Sequence, residues 1–161
     1  MRKPEPSPVP IPEPPIPNLG EGKRGEEGYL GYLLRQATHA NTLRIERALT
    51  DLAVTVPQFG VMTMVNAYPG CSSADLARLV MQTPQTLSVV VANLEKAGWI
   101  VRSPHPVHGR VQQLALTEAG KAVHATCRER VRQIETKISA PLSTEEEAVV
   151  RRWLVSVALG D

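Results

Sequence analysis

The sequence predicts a mainly α fold of the α+β class, and three observations carry that prediction. Hydrophobic residues make up 42% of the 161 residues but aromatics only 4%, so the core must be aliphatic, a composition that favours helix packing over a β-sandwich. From Gly28 onward, apolar residues recur at helical spacing over most of the chain. Only after Gly98 does the pattern shorten to that of a strand.

The elements follow in order. Eight of the 14 prolines fall between Pro4 and Pro17. Proline lacks an amide donor and biases its predecessor away from the α region. Residues 1–25 are therefore expected to be a disordered, partly polyproline-II tail, with a ligand for a proline-reading domain as the alternative. Residues 26–161 are expected to be one domain. Leu30, Leu33, Leu34, Ala37, Ile45, Ala48, Leu49 and Leu52 mark a long amphipathic helix that ends at about Leu52, with a break at Ala53 and Val54. Thr55 and Gln58 form a capping box around Pro57, which sits in the first turn where its missing N–H costs nothing. That helix stops at Tyr68, Pro69 and Gly70. Ser72 to Asp75 opens a short helix bearing Leu76, Ala77, Leu79 and Val80, and Thr83 with Pro84 opens another bearing Leu87, Val90, Val91 and Leu94. Trp99 to Arg102 and Arg110 to Leu116 read as two strands joined by a loop. Thr117 opens a helix that runs to Pro141. Ser143 and Glu146 form a second capping box for a last helix carrying Val149, Val150, Trp153, Leu154 and Val157, which ends at Gly160.

Two short helices separated by Met81, Gln82 and Thr83 make a helix-turn-helix. A two-stranded hairpin directly after the second helix turns it into a winged helix-turn-helix. Several classes of function find no support. A net charge of +2 is only mildly basic, so cations for a nucleic acid would have to be placed locally. No G-x-S-x-G or phosphate-binding glycine loop occurs, and His39 and His124 have no nucleophile at a telling spacing, so no enzyme and no cofactor are expected. Cys71 and Cys127 lie outside any C-x-x-C or metal-ligand spacing and are expected as free thiols, a redox sensor being the alternative. His105 and His108 lack a nearby third ligand, and no metal site is expected. No stretch reaches the ~18 apolar residues of a membrane span, and no secretory leader opens the chain, so a cytoplasmic protein is expected.

The segment Ala74-Asp-Leu-Ala-Arg-Leu-Val80 resembles the first helix of the helix-turn-helix in the multiple-antibiotic-resistance-regulator (MarR) family. Thr83 to Arg102 resembles that family's recognition helix and its exit, and Arg110 to Gly120 its wing pattern R-x-x-x-L-x-L-T-x-x-G. The likeness runs from Gly28 to about Leu159. It implies a winged helix-turn-helix with a two-stranded wing and N- and C-terminal dimerisation helices, with a DNA-binding lobe at about 55–117 and dimerisation helices at about 28–52 and 118–159. It also implies a transcriptional regulator, a repressor by resemblance, that binds a pseudo-palindromic double-stranded operator as a homodimer and is released by a small-molecule effector. On the recognition helix Gln85, Thr86, Ser88 and Val89 would face the major groove, with Thr83 and Pro84 at the tip. Arg110 matches the family's wing arginine, which suits a narrow minor groove. His108 stands beside it where the family usually has aspartate, and Arg102 and Arg78 are phosphate-clamp candidates. Leu30, Leu33, Leu34, Trp153, Leu154 and Val157 would form the dimer interface, and His39, Phe59, Met62 and Trp99 the walls of a ligand pocket. A winged helix used only for protein–protein contact is the rival reading; it would want an acidic or apolar recognition face.

Overall fold

The computed structural model describes residues 16–104 and 112–160. Most of the proline-rich segment therefore lies outside the described residues, as do His105, His108 and Arg110. The chain divides into two compact units, residues 1–40 and 41–161.

In the first unit, part of the segment expected as a tail carries local order. The amide of Asn18 donates to Glu21 Oε2 at 2.9 Å, Arg24 Nη1 donates to the Pro17 carbonyl at 2.9 Å, and Gly22–Arg24 form one 3-10 turn. Gln36 Nε2 reaches back to the Arg24 carbonyl at 3.1 Å. Side-chain caps of this kind let a short polar segment satisfy its backbone without a core. Helix α1 then begins and spans Leu30–Leu49, passing from the first unit into the second.

The second unit holds the core. After α1 the chain tightens into a 3-10 turn at Thr50–Leu52, and Ala53 adopts a left-handed conformation with φ of 52°. The helix expected to reach about Leu52 thus finishes in a 3-10 turn, and the break falls at Ala53 as expected. Helix α2 (Val56–Ala67) starts on the capping box read from the sequence: Gln58 N donates to Thr55 Oγ1 at 3.3 Å, and Thr55 N donates to Gln58 Oε1 at 2.9 Å. Helix α3 (Ser73–Leu79) is capped by Ser72 and α4 (Pro84–Lys96) by Thr83. Strands β1 (Ile100–Pro104) and β2 (Gln112–Leu116) pair antiparallel with Ile100 opposite Leu116 and Arg102 opposite Leu114. β1 runs two residues beyond the expected Arg102, into Pro104, because a strand end tolerates a residue with no N–H. Helix α5 (Glu118–Ser139) is capped by Thr117, and α6 (Thr144–Leu159) by the Ser143–Glu146 box.

The core gathers around α2, whose Val61, Met62 and Val65 are buried against Leu76 of α3, Leu87, Val91 and Leu94 of α4, Leu114 of β2 and Cys127 of α5. It is almost wholly aliphatic, as composition required. Among the described residues no single helix is long and apolar enough to cross a membrane.

Two joints fix the long helix α5. At its start, Thr117 Oγ1 donates to the Gly98 carbonyl at 2.7 Å and accepts from Gly120 N at 3.0 Å, while Thr117 N donates to the Trp99 carbonyl at 3.0 Å. A Cβ on Gly120 would lie 2.0 Å from that carbonyl oxygen, so only glycine fits. The T-x-x-G of the sequence motif is thus the seam between the hairpin and α5. Further along, Arg130 donates to the Ala48 carbonyl at 2.8 Å and grips Asp51 with both guanidinium arms. The hydrogen bond from Arg130 holds the Asp51 carboxyl below its ordinary pKa.

Candidate nucleic-acid interface

Helix α4 is positioned by its buried face. Leu87, Val91 and Leu94 are 2%, 2% and 0% exposed, and they recur at the spacing that puts side chains on one side of a helix. The opposite side faces solvent: Thr83, Pro84, Gln85, Thr86, Ser88 and Val89 are all exposed, as the sequence reading expected. Ala92, Asn93 and Lys96 are exposed as well and continue the stripe from Gln85 and Val89. Sequence reasoning stopped at Val89, although the same helical period reaches these three.

The start of the helix is built tightly. Thr83 Oγ1 accepts from Thr86 N at 3.2 Å and lies 3.0 Å from Thr86 Oγ1. Pro84 fills the first position, and the first turn contains no acid. The partial positive charge of the helix N-terminus is therefore not offset there by a carboxylate. The helix's acid, Glu95, is turned aside onto Arg102 Nε at 2.7 Å.

That pairing bears on the phosphate-clamp candidates. Arg102 is held by Glu95, and Arg78, largely exposed, pairs with Asp75. The Asp75 carboxyl is kept below its ordinary pKa first by the hydroxyl of Ser72, which donates at 2.7 Å, and then by Arg78. Both arginines are thus partly neutralised within the chain. Arg110 and His108 lie outside the described residues.

The residues expected to line a ligand pocket are distributed differently. His39 is exposed and belongs to the first unit. Met62 is 0% exposed and sits inside the core. Phe59 stacks on His124, with ring centroids 5.8 Å apart, and Trp99 is half-buried at the seam with α5. His124, which the sequence left without a role, is buried, and its Nε2 lies 3.1 Å from Thr63 Oγ1.

Of the residues expected at a dimer interface, Leu30 is exposed while Leu33 and Leu34 are half-buried in the first unit. On α6, Leu154 and Val157 are exposed and Trp153 is half-buried. No residue of α6 is buried, although the helix also carries Val149, Val150, Val155 and Leu159. Both cysteines are free thiols, and burial pushes the pKa of each upward, which lowers the share of reactive thiolate.

The family model described as the MarR family matches residues 54–111, from the capping segment of α2 through α3, α4 and β1. An HTH-type transcriptional repressor of Mycobacterium tuberculosis is 32% identical over 129 residues, covering 80% of this chain and 93% of its own length. The chain belongs to the MarR family. The PcaV transcriptional regulator of Streptomyces coelicolor, solved in complex with its natural ligand, is 27% identical with a TM-score of 0.71 over 82% of this chain and 93% of that one. The S. aureus MepR–DNA complex superposes with a TM-score of 0.78 over 84% and 98% at 21% identity, a likeness of fold. In this MarR-family chain, α3 and α4 are the helix-turn-helix, β1 and β2 the base of the wing, and α1, α5 and α6 the helices outside the winged unit.

Proposed function

We propose that this MarR-family chain is a transcriptional repressor that binds a pseudo-palindromic double-stranded operator as a homodimer through α4 and the wing. The observation that carries this reading is the outward stripe of α4. It offers amide, hydroxyl and small apolar groups, ends on Lys96, and has its one acid drawn off by Arg102. Gln85 matches the donor–acceptor pair that adenine presents in the major groove, Thr86 and Ser88 serve several bases, and Val89 suits a thymine methyl. An acidic or apolar face, which a purely protein-binding winged helix would want, is not what α4 presents.

Arg110, by its likeness to the family's wing arginine, enters the adjacent minor groove, and His108, two residues before it in the sequence, is a second proposed wing contact. Helices α1 and α6 supply the apolar surface for the two-fold partner, whose symmetry the operator mirrors. A small-molecule effector shifts the dimer between DNA-binding and released conformations. His39, Phe59, Met62 and Trp99 are its proposed contacts, and Met62 has to be uncovered for that role. The protein does this work in the cytoplasm and catalyses nothing.

Selection from random duplexes at two salt concentrations tests the reading. A single enriched motif with two-fold character is expected, bound with an affinity that falls linearly on a log–log plot against salt. Gln85→Ala should relax the preference at one base pair, by about 1–3 kcal/mol. Enrichment of no motif, or affinity independent of salt, would overturn it.

A further inference from the structure

The turn between α3 and α4 breaks two local rules at adjacent residues. Gln82 N donates to the Ala77 carbonyl at 2.9 Å and Met81 N to the Arg78 carbonyl at 3.1 Å. This pair of bonds is a Schellman motif, which closes a helix by placing one residue in the left-handed region, usually glycine, and a following apolar residue against the helix. Here the left-handed position is Met81, with φ of 53°. The following residue is Gln82, whose Oε1 is buried with no hydrogen-bond partner among the described residues. Met81 is also 91% exposed, more than any other large apolar side chain described. A glycine would remove the strain and the exposed apolar surface together. The chain instead holds a long, flexible thioether out into solvent, two residues before the cap of α4.

The geometry points to Met81 as an apolar contact to duplex DNA, an inference that rests on the DNA-binding reading of α4. Backbone strain persists where the surroundings impose it and concentrates at sites of function. Little of the chain itself touches the Met81 side chain. Pro84, Gln85 and Thr86, three to five residues further along the chain, are exposed and form the tip of the helix that enters the groove. A polarizable, unbranched side chain adapts to irregular apolar surface, and on DNA that surface is deoxyribose carbon and the thymine methyl. Met81 thus adds shape-dependent affinity beside the hydrogen-bonding groups of Gln85 and Thr86.

The test uses the full-length protein and the duplex that the wild type selects, read by fluorescence anisotropy. Met81→Ala keeps the left-handed strain and removes the thioether, Met81→Gly removes both, and Met81→Leu keeps the bulk. Affinity is expected to fall about tenfold in the Ala and Gly variants, the equivalent of roughly 1.4 kcal/mol, and to stay near wild type in Leu. A second readout is chemical. Met62 is buried and Met64 half-buried, so dilute hydrogen peroxide should convert Met81 to its sulfoxide ahead of either, the peroxide being reduced to water. Bound duplex should slow that reaction. Ala and Gly variants that bind as tightly as wild type, or oxidation of Met81 at the same rate with and without duplex, would overturn the contact while leaving DNA binding by α4 in place. A wild type that selects no duplex would overturn both.

Discussion

Thr63 has one hydroxyl proton and gives it to the Phe59 carbonyl at 2.8 Å. Its contact with His124 Nε2 at 3.1 Å is therefore closed by a proton on that nitrogen, so the neutral ring is the Nε2–H tautomer. Burial depresses its pKa, and the positive charge of Arg128 depresses it further. Between that lowered value and the ordinary 6.5 of an unfolded histidine, the unfolded chain binds more protons. Stability is therefore fully present above about pH 6.5 and is lost as pH falls through the window below it. Thermal melts at pH 7.5 and 5.0 should show a larger drop for wild type than for His124→Gln; equal drops would contradict the assignment. At Gly120 the expectation is simpler. Gly120→Ala drives a methyl into the Trp99 carbonyl and should cost about 3 kcal/mol, the upper range for overpacking, measured by denaturant unfolding. Neither feature was legible as such in the sequence. The T-x-x-G motif showed only as a pattern, and His124 showed only as a histidine on a helix, because its partner Thr63 is 61 residues away.

Individual elements were far easier to read, because their signals are local. Both capping boxes, the caps at Ser72, Thr83 and Thr117, and the stop after Ala67 follow from residues within a few positions of each helix end. Thr83→Ala should cost about 1 kcal/mol through loss of the bond to Thr86 N, and with it the ordered start of α4. Met81→Gly should do the reverse. Relief of the left-handed strain should raise stability by about 1 kcal/mol, a rise of a few degrees in Tm, in the same variant whose DNA affinity is expected to fall. What local patterning missed was the tightening of the last turn before Leu52 and the lengthening of β1. The break at Ala53 falls where the sequence puts it, with Thr50–Leu52 wound as a 3-10 turn. The pairing of Asp51 with Arg130 of α5 is a long-range ion pair no local window contains.

For the whole molecule, the order of elements and the aliphatic core were visible in the sequence, and the family resemblance placed the polar face of α4 on the recognition helix. Ion pairing across elements was not visible. Arg102 and Arg78 read as phosphate-clamp candidates; the Asp75–Arg78 pair is local, three residues apart on α3, whereas Glu95 becomes the partner of Arg102 only through the fold of β1 onto α4. The wing arginine stays an expectation, outside the described residues. The uncovered α6 sets the quaternary prediction. Replacing both Leu154 and Val157 by lysine, at sites already 44% and 46% exposed, should leave the helix-turn-helix folded. It should shift sedimentation from dimer to monomer and weaken operator binding by at least about a hundredfold, since two linked half-sites bind far more tightly than one. An unchanged sedimentation profile would move the interface elsewhere.

The seam at Thr117 has a mechanical consequence. Gly98 just past the end of α4, Trp99 at the root of the hairpin and Gly120 in the first turn of α5 all bond to the hydroxyl or amide of Thr117, with no linker between them to absorb a displacement. A tilt of α5 about its grip on Asp51 should therefore carry the base of the wing and the C-terminal end of α4 together, as a rigid crank turns both of its arms.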